Sequence, residues 1–576
     1  MPGIFGFTQN KEEQLNILTE LNALQIHVDN TYHKQKNYVN EKIAVSIVSF
    51  DFMKDYNFYS KIGDLEIWIY GDPIINGYTG SKAMEQVVQN VSGSFPDFSI
   101  IASIDGLFTI IILNAKTNKL YIIGDRSGLC HLYYGVFKGQ LVWGSELRTF
   151  LSKRIEKTIR QESFHTFLEL GYLINNNTWF KEIKLLPPAS YLEWDFEKSD
   201  FSIKQYWSHE QLQKNSITKK DKAIVTDIAE LFAQAVKKRV GENERVGITL
   251  SGGQDSRAIF SNIPFRKNGF FAITRGRKGS GDIILAAKVA ALRKDCTHIL
   301  HEINEVNWSN GRIEAVIATS GQKDFFNMNA MASLPIHKKY FDINLDGSEG
   351  ALLKRSYLNF NTKHDIHILK NKILTNVLGD YDNTMSELLT YYDQINSDRY
   401  FFIYENIRRF SVFGSILGHD YGIVSRFPIL DHQLQEYLYQ LPEKTDIGTL
   451  WNKTLIKHFP EYFIHIDNLD SGRRLYANKR INFLSMALHI ALSRMGYEKY
   501  KRKYHNYPFW IKNYDSGLLG KYIFPENLQL YQYIDPKPVK KVIDTFLNTG
   551  EQPALISRLL SLNIFLEYFN KLNESK

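Results

Sequence analysis

Hydroxyls, glycines and a carboxylate crowd into one short stretch, Ile248-Thr249-Leu250-Ser251-Gly252-Gly253-Gln254-Asp255-Ser256-Arg257. The apolar run Val246 to Leu250, the small-residue bend and the apolar continuation predict a strand, a loop and a helix N-terminus. Such a bend aims backbone N–H groups and the positive end of a helix dipole at one point, which suits an anion. Gly252 and Gly253 let the backbone approach a phosphate, and Ser251 and Ser256 offer hydroxyl donors. Asp255 repels a bare phosphate, so its presence calls for a bridging cation such as Mg²⁺. A Gly-Gly pair alone also fits an ordinary tight turn of an α/β domain. The Gly-Lys-Ser/Thr ending of a Walker A loop is missing.

The elements that must position this bend follow from periodicity. Phe270 to Thr274 reads as the next parallel strand, Ile283 to Leu292 as a helix, and His298 to Ile303 as a third strand. Ile224, Ile228, Leu231, Phe232 and Ala235 mark the apolar face of a helix leading into the first strand. Alternating strands and helices predict a doubly wound sheet with its ligand at the carboxyl ends of the strands. Upstream, short β-type runs such as Ile43 to Val48 and Leu120 to Ile123 predict stacked antiparallel sheets. The expected organisation is residues 1–205 as an α+β domain, 206–220 as a linker, and 221–576 as an α/β domain ending in helices such as Val542 to Leu547 and Ala554 to Tyr568.

Ser-Gly-Gly-x-Asp-Ser resembles the pyrophosphate loop of ATP pyrophosphatases, and the order of elements resembles the synthetase domain of class B asparagine synthetases. Met1-Pro2-Gly3-Ile4-Phe5-Gly6 is similar to the start of their glutaminase domain. Ile104 to Ile111, Gly124 to Gly135 and Phe180 to Tyr191 are similar to later stretches of that domain, and Arg426-Phe427-Pro428-Ile429-Leu430-Asp431 to the family's Arg-x-Pro-Phe-Leu-Asp. The resemblance implies an Ntn-hydrolase-like N-terminal domain followed by an ATP-pyrophosphatase-like domain. ATP and Mg²⁺ are the implied cofactors. Leu250, Ser251, Gly252, Gly253, Asp255 and Ser256 then hold the phosphates, with backbone near Ile273 and Thr274 at the adenine end.

The departures from the family are equally specific. The glutaminase nucleophile is a cysteine at the second position; here it is Pro2, with neither thiol nor hydroxyl. Cys130 and Cys296 are expected to be buried, inert thiols. The family's Asn-Gly-Glu stretch is replaced around Ile69-Tyr70-Gly71-Asp72-Pro73-Ile74. The implied N-terminal domain therefore keeps its fold without glutaminase activity, a loss shared by β-lactam synthetases and lasso-peptide cyclases. The second metal stretch maps to Asp346-Gly347-Ser348-Glu349-Gly350, which gives Asp255 and Glu349 as metal ligands, with Asp346 as a substitute; a solvated acidic turn is the alternative. Lys354-Arg355-Ser356-Tyr357 follows, where its two cations contact phosphate, contact an acidic substrate or face water. Lys453 fits one family lysine. At the later catalytic lysine stand Arg473 and Arg474, which can clamp oxyanions but cannot carry a proton. Asp255, Lys453, Arg473 and Arg474 are thus the expected catalytic set.

With 576 residues, 44% hydrophobic and 23% charged, the chain can bury more than one core. Two cysteines argue against a disulfide framework. No apolar run approaches the roughly 20 residues of a membrane span, and the start lacks a secretory pattern, which makes cytoplasmic the default location. The net charge of +8 is mild over this length. Its densest candidates are Lys237-Lys238-Arg239 and Tyr497 to Tyr504; the latter reads as a solvated helix face with inward tyrosines rather than a nucleic-acid site.

The expected function is ATP-dependent, AMP-forming ligation of a small-molecule or peptide carboxylate to an amine or ammonia, without glutamine, nucleic acid or membrane. A homodimer is compatible with this. Intramolecular cyclisation and an inactive binding protein are the competing readings.

Overall fold

The computed structural model describes residues 2–8, 33–213, 215–354, 386, 390, 405, 407–442, 444–497, 500–501 and 503–574. Met1, Arg355, Ser356, Tyr357, Glu498, Lys499 and Arg502 of the stretches named above lie outside the described residues.

Seventeen described strands form three sheets. The first contains β1 (Gly3–Thr8), β2 (His33–Val39), β3 (Ile43–Phe50), β8 (Tyr133–Phe137), β9 (Gln140–Gly144) and β10 (Lys184–Leu185), in the order β10-β8-β9-β1-β3-β2. The second contains β4 (Tyr59–Ile62), β5 (Leu65–Ile74), β6 (Asp105–Asn114), β7 (Lys119–Gly124), β11 (Ser190–Asp195) and β12 (Asp200–Gln205), in the order β12-β11-β7-β6-β5-β4. Their pairings are antiparallel. Alternation of side chains between two covered faces explains why β3 is buried throughout, Ser46 and Ser49 included. Val45 and Ile47 join Ile67, Ile110 and Ile122 of the second sheet in one core. Ala44 and Val48 face the other way, into a core with Phe164, Trp179 and Phe565. That second core brings the C-terminal helix Pro553–Glu574 against the N-terminal sheets rather than leaving it with the last strands.

The third sheet is parallel: β13 (Val246–Thr249), β14 (Phe270–Gly276), β15 (Cys296–Glu302), β16 (Ile343–Leu345) and β17 (Val424–Arg426), in the order β15-β14-β13-β16-β17. Its central strands β13 and β16 are almost wholly buried, as expected of a parallel sheet covered on both faces. The chain order turns back between β13 and β16, which places the switch point, and the expected ligand crevice, at the loops that follow these two strands. The expected helices are observed as Asp221–Lys237, Gly281–Ala290, Pro536–Thr549 and Pro553–Glu574.

Strand direction changes between Gln205 and Val246, but one apolar core runs from Ile4 through Phe232 to Leu455. Buried ion pairs cross the same boundary. Arg239 Nη2 lies 2.9 Å from Asp105 and its Nη1 2.8 Å from Asp431, and Lys238 pairs with both carboxylates. The basic run Lys237–Arg239 is therefore a cross-boundary anchor at its last two residues, not an open cationic patch.

The stretch Tyr497–Tyr504 is also corrected. It forms no helix where it is described, and Lys501 bridges Ser280 in parallel fashion. Tyr500 is buried with its hydroxyl on the Asn468 carbonyl, whereas Tyr497 is exposed.

Candidate active site

The bend after β13 is held from behind. Gly253 caps helix Gln254–Asn262, whose first turn carries Asp255, a favourable sign for the helix dipole. Arg257, on the same helix and buried, donates from Nη2 to the carbonyls of Gly252 at 2.7 Å and Asp467 at 3.0 Å. The Ser251 N–H donates to Ser256 Oγ at 3.1 Å, the two hydroxyls lie 3.0 Å apart, and the Gly253 N–H donates to Ser251 Oγ at 3.1 Å. The glycines are there for space, since neither has a positive φ. A Cβ on Gly252 would lie 3.0 Å from the Gly281 carbonyl oxygen. The Gly252 N–H donates to Asp282, so it faces helix Gly281–Ala290 rather than a ligand.

The loop after β16 packs directly on this bend. A Cβ on Gly350 would lie 1.9 Å from Asp255 Oδ2, and one on Gly347 3.0 Å from the Ser256 nitrogen, so both glycines are dictated by close approach. Asp346 accepts from the Ser348 N–H at 2.8 Å and from Ser415 Oγ at 3.1 Å. Glu349 is buried with φ 76°, a left-handed conformation that a non-glycine residue adopts at a cost on the order of 1–2 kcal/mol. Burial first, then the neighbouring Asp346 and Asp255 charges, push its carboxyl up to about 7 against the hydrogen bond from Ser411 and the charge of Lys323. Crowded carboxylates of this kind fit a divalent cation that also takes ligand phosphate oxygens. No group of three or more His, Cys, Asp or Glu side chains among the described residues could hold a metal by itself.

Both loops open onto one cleft of about 380 Å³ at the carboxyl ends of the parallel strands. Ser251, Gly253, Asp255 and Ser256 line it, as do Asp346 and Gly347. Its floor is a hydrogen-bonded row across three strands: the Thr249 N–H donates to Asn344 Oδ1 at 3.1 Å, and Asn344 Nδ2 donates to Ser425 Oγ at 3.3 Å.

Other expected site residues fall elsewhere. Leu250 and Ile273 are buried and joined by a 3.0 Å backbone bond, and Thr274 spends its hydroxyl on the Leu250 carbonyl at 2.7 Å and on His298 at 2.8 Å. Together with Gly252 and the buried Glu349, these residues do not line the cleft. Lys453 pairs with Asp221 at 2.8 Å on the surface. Arg473 and Arg474 are exposed, the latter 5.2 Å from the Tyr476 ring. None of these three cations lines the cleft: the helix that carries Lys453 packs on helix Asp221–Lys237, and both arginines face solvent.

The cations that do line the cleft are Lys323 and Arg275. Lys323 is 4% exposed, donates to the Phe410 carbonyl at 2.9 Å and lies 3.4 Å from that ring's centre. Burial pushes its ammonium down to about 8, against the charges of Asp324 and Glu349. Neither residue sits in a recognisable motif. Arg275 alone had a sequence signal, as a cation at the carboxyl end of a predicted parallel strand.

A second, smaller cavity surrounds Pro2. It measures about 40 Å³, with Tyr70, Asp72, Leu107, Cys130 and Glu146 among its lining, which leaves room for a few waters at most. Cys130 and Cys296 are half-buried rather than buried, and burial pushes both thiols up to about 12, far from a reactive thiolate.

A glutamine amidotransferase domain family matches residues 93–207. The chain is 29% identical to "Amidase chyE" of Penicillium rubens over 167 residues, 28% of this chain and 24% of that protein. It is 22% identical over 369 residues to a glutamine-hydrolysing asparagine synthetase of Rattus norvegicus, 60% of this chain and 58% of that protein. A third relative, glutamine-hydrolysing asparagine synthetase 2 of Bacillus subtilis, is 26% identical over 172 residues, 28% of this chain. The match spans about a quarter of the length of the first relatives, 24% and 22%. Among solved structures, the glutamine phosphoribosylpyrophosphate amidotransferase of B. subtilis aligns at 11% identity with a TM-score of 0.24, over 43% of this chain and 60% of that one. The protein is thus of a class that carries an amidotransferase-type domain ahead of a parallel sheet. Over the parts that align, it is similar to members of the asparagine synthetase class B-like superfamily.

Proposed function

We propose that the protein is an ATP-dependent, AMP-forming carbon–nitrogen ligase that works without hydrolysing glutamine. The observation that carries this reading is the union of two loops at the switch point: Ser251, Gly253, Asp255 and Ser256 of the first and Asp346, Gly347 and Ser348 of the second line one 380 Å³ cleft. In the reaction, a carboxylate oxygen of a small-molecule or peptide substrate attacks the α-phosphorus of ATP. The bond from that phosphorus to the bridging oxygen breaks, and pyrophosphate leaves. An amine or ammonia nitrogen then attacks the acyl carbon, loses a proton, and displaces AMP.

Ser251, Gly253 and Ser256 would hold the pyrophosphate oxygens, the serines through hydroxyls already aligned with each other. Asp255 and Glu349, with Asp346 beside them, would hold Mg²⁺, which neutralises charge on the leaving group when bound. Lys323 adds a fixed cation to the same wall, in a site dry enough to strengthen its field. The protein's remaining contribution is to align carboxylate and amine. A glutaminase half-reaction is not part of the proposal, since Pro2 supplies no nucleophile and about 40 Å³ surrounds it.

The test is AMP and pyrophosphate release across a panel of carboxylic acids with ammonia and simple amines. Wild type should release AMP with at least one pair, and Asp255→Ala should not. Equal AMP from both proteins would overturn the assignment.

A further inference from the structure

Arg275 closes β14 at the carboxyl edge of the sheet and lines the cleft. Its Nε is buried and has no hydrogen-bond acceptor among the described residues. His301 is its Cα partner on β15, so the two side chains leave the same face of the sheet. His337, on helix Leu334–Tyr340, lines the cleft with Arg275 at 2% exposure, and His301 stands behind them without itself lining the cleft. The Nε2 atoms of both histidines are buried and unpartnered as well. So is Oδ1 of Asn329, another lining residue, whose amide ends are interchangeable by a flip. Buried polar atoms left without partners call for an explanation, and several converging on one cleft call for a ligand.

The electrostatics give the sign of that ligand. Burial first, then Arg275 and His301, push His337 down to about 3. Burial and then Arg275 push His301 down as well. No carboxylate offsets this repulsion among the groups acting on either ring. The acidic side chains of the cleft stand instead on the loops after β13 and β16, so one cavity carries an acidic side and a separate cluster of nitrogen donors.

We propose that Arg275 and His337, backed by His301, form an oxyanion subsite that takes a carboxylate or phosphate group of the ligand not held by the Ser251–Ser256 bend. The guanidinium fork supplies paired donors and the imidazoles supply single ones. The inference rests on the cleft being the ligand site proposed above, and not on which reaction takes place there.

Calorimetric titration of the full chain with pyrophosphate and with malonate tests it. Wild type should bind at least one probe, and Arg275→Gln and His337→Asn should each weaken that binding tenfold or more. Arg275→Lys, which keeps the charge and loses the fork, should fall between. Loss confined to malonate marks a substrate carboxylate, and loss confined to pyrophosphate marks the nucleotide. Wild type binding neither probe, or all variants matching wild type, would overturn the subsite. Circular dichroism checks folding, and if Arg275→Gln does not fold, Arg275→Lys and His337→Asn carry the test. ATP-dependent AMP release by wild type, measured separately, distinguishes the failures: release with Arg275-independent binding removes only the subsite. Arg275-dependent binding without release removes only the ligase reading.

Discussion

Arg426 on β17 grips Asp72 on β5 with a two-pronged ion pair, Nε to Oδ2 at 2.6 Å and Nη2 to Oδ1 at 2.9 Å. Its Nη2 also donates to Glu244 at 2.7 Å. The same residue's carbonyl accepts the Asp346 N–H at 2.9 Å. One arginine therefore links the antiparallel half of the molecule to the acidic loop of the cleft. Asp72 lies where the family's glutamine-binding stretch was expected; here its carboxylate is committed to holding the two halves together.

Removing one member of a buried pair strands the other charge, at a cost on the order of 3–5 kcal/mol. Asp72→Ala should lower stability by about that much in a denaturant titration and loosen Asp346 through the shared backbone contact. A loss under about 1 kcal/mol, the scale of an exposed pair, would show that Arg426 is satisfied by Glu244 alone.

The neighbouring anchor predicts a pH dependence. Burial pushes the Asp105 carboxyl up, but Arg239, His432 and Lys238 outweigh it and hold the group below the usual carboxylate range. A depressed folded pKa contributes stability that is fully present above the unfolded value near 4 and is lost as pH falls toward the folded one. Asp105→Asn should therefore be less stable than wild type at neutral pH, and the gap should close progressively below about pH 4. Urea midpoints at several pH values check this; a gap that stays constant down to pH 2 would contradict it.

Glu349 sets stability against function. Glu349→Gly removes the left-handed strain and one crowded carboxylate, so the thermal midpoint should rise, by the equivalent of about 1 kcal/mol. If Glu349 holds Mg²⁺ as proposed, the stabilisation of wild type by Mg²⁺ with ATP should shrink in the variant. An unchanged or lower midpoint without ligand would mean that the hydrogen bond from Ser411 outweighs the strain.

Restoring a thiol should not restore glutaminase chemistry. Pro2→Cys places sulfur beside a cavity of about 40 Å³ whose Asp72 is paired with Arg426. Ammonia release from glutamine should remain at background. Turnover above background would show that the cavity opens.

The bend at Ser251 to Ser256 was legible because its chemistry is local: strand, glycines, hydroxyls and helix start are contiguous, and the switch point follows from strand order. Arg426 and Asp431 were recognisable as a motif, but their role was not, because Asp72, Glu244, Asp105 and Arg239 come from distant parts of the chain. Lys453, Arg473 and Arg474 were chosen by position along the sequence. Their distance from the cleft depends on how the helix Ile447–His458 and the turn at 468–474 pack, which no periodicity reveals. Lys323, Arg275 and His337 are hidden for the opposite reason: each is solitary in the sequence, and only the fold brings them to one cleft. The cores were easier to read, since apolar residues at both odd and even positions of β3 signal burial on both faces; the covering C-terminal helix was visible as a helix but not as the cover.

The most direct test is a calorimetric titration of the intact protein with ATP in the presence of Mg²⁺, repeated on Asp255→Ala. Wild type should bind one ATP per chain with Mg²⁺, and the variant should lose affinity on the order of 100-fold. Absence of binding by wild type, or equal affinity in the variant, would contradict the assignment of the Ser251–Ser256 bend to nucleotide phosphates.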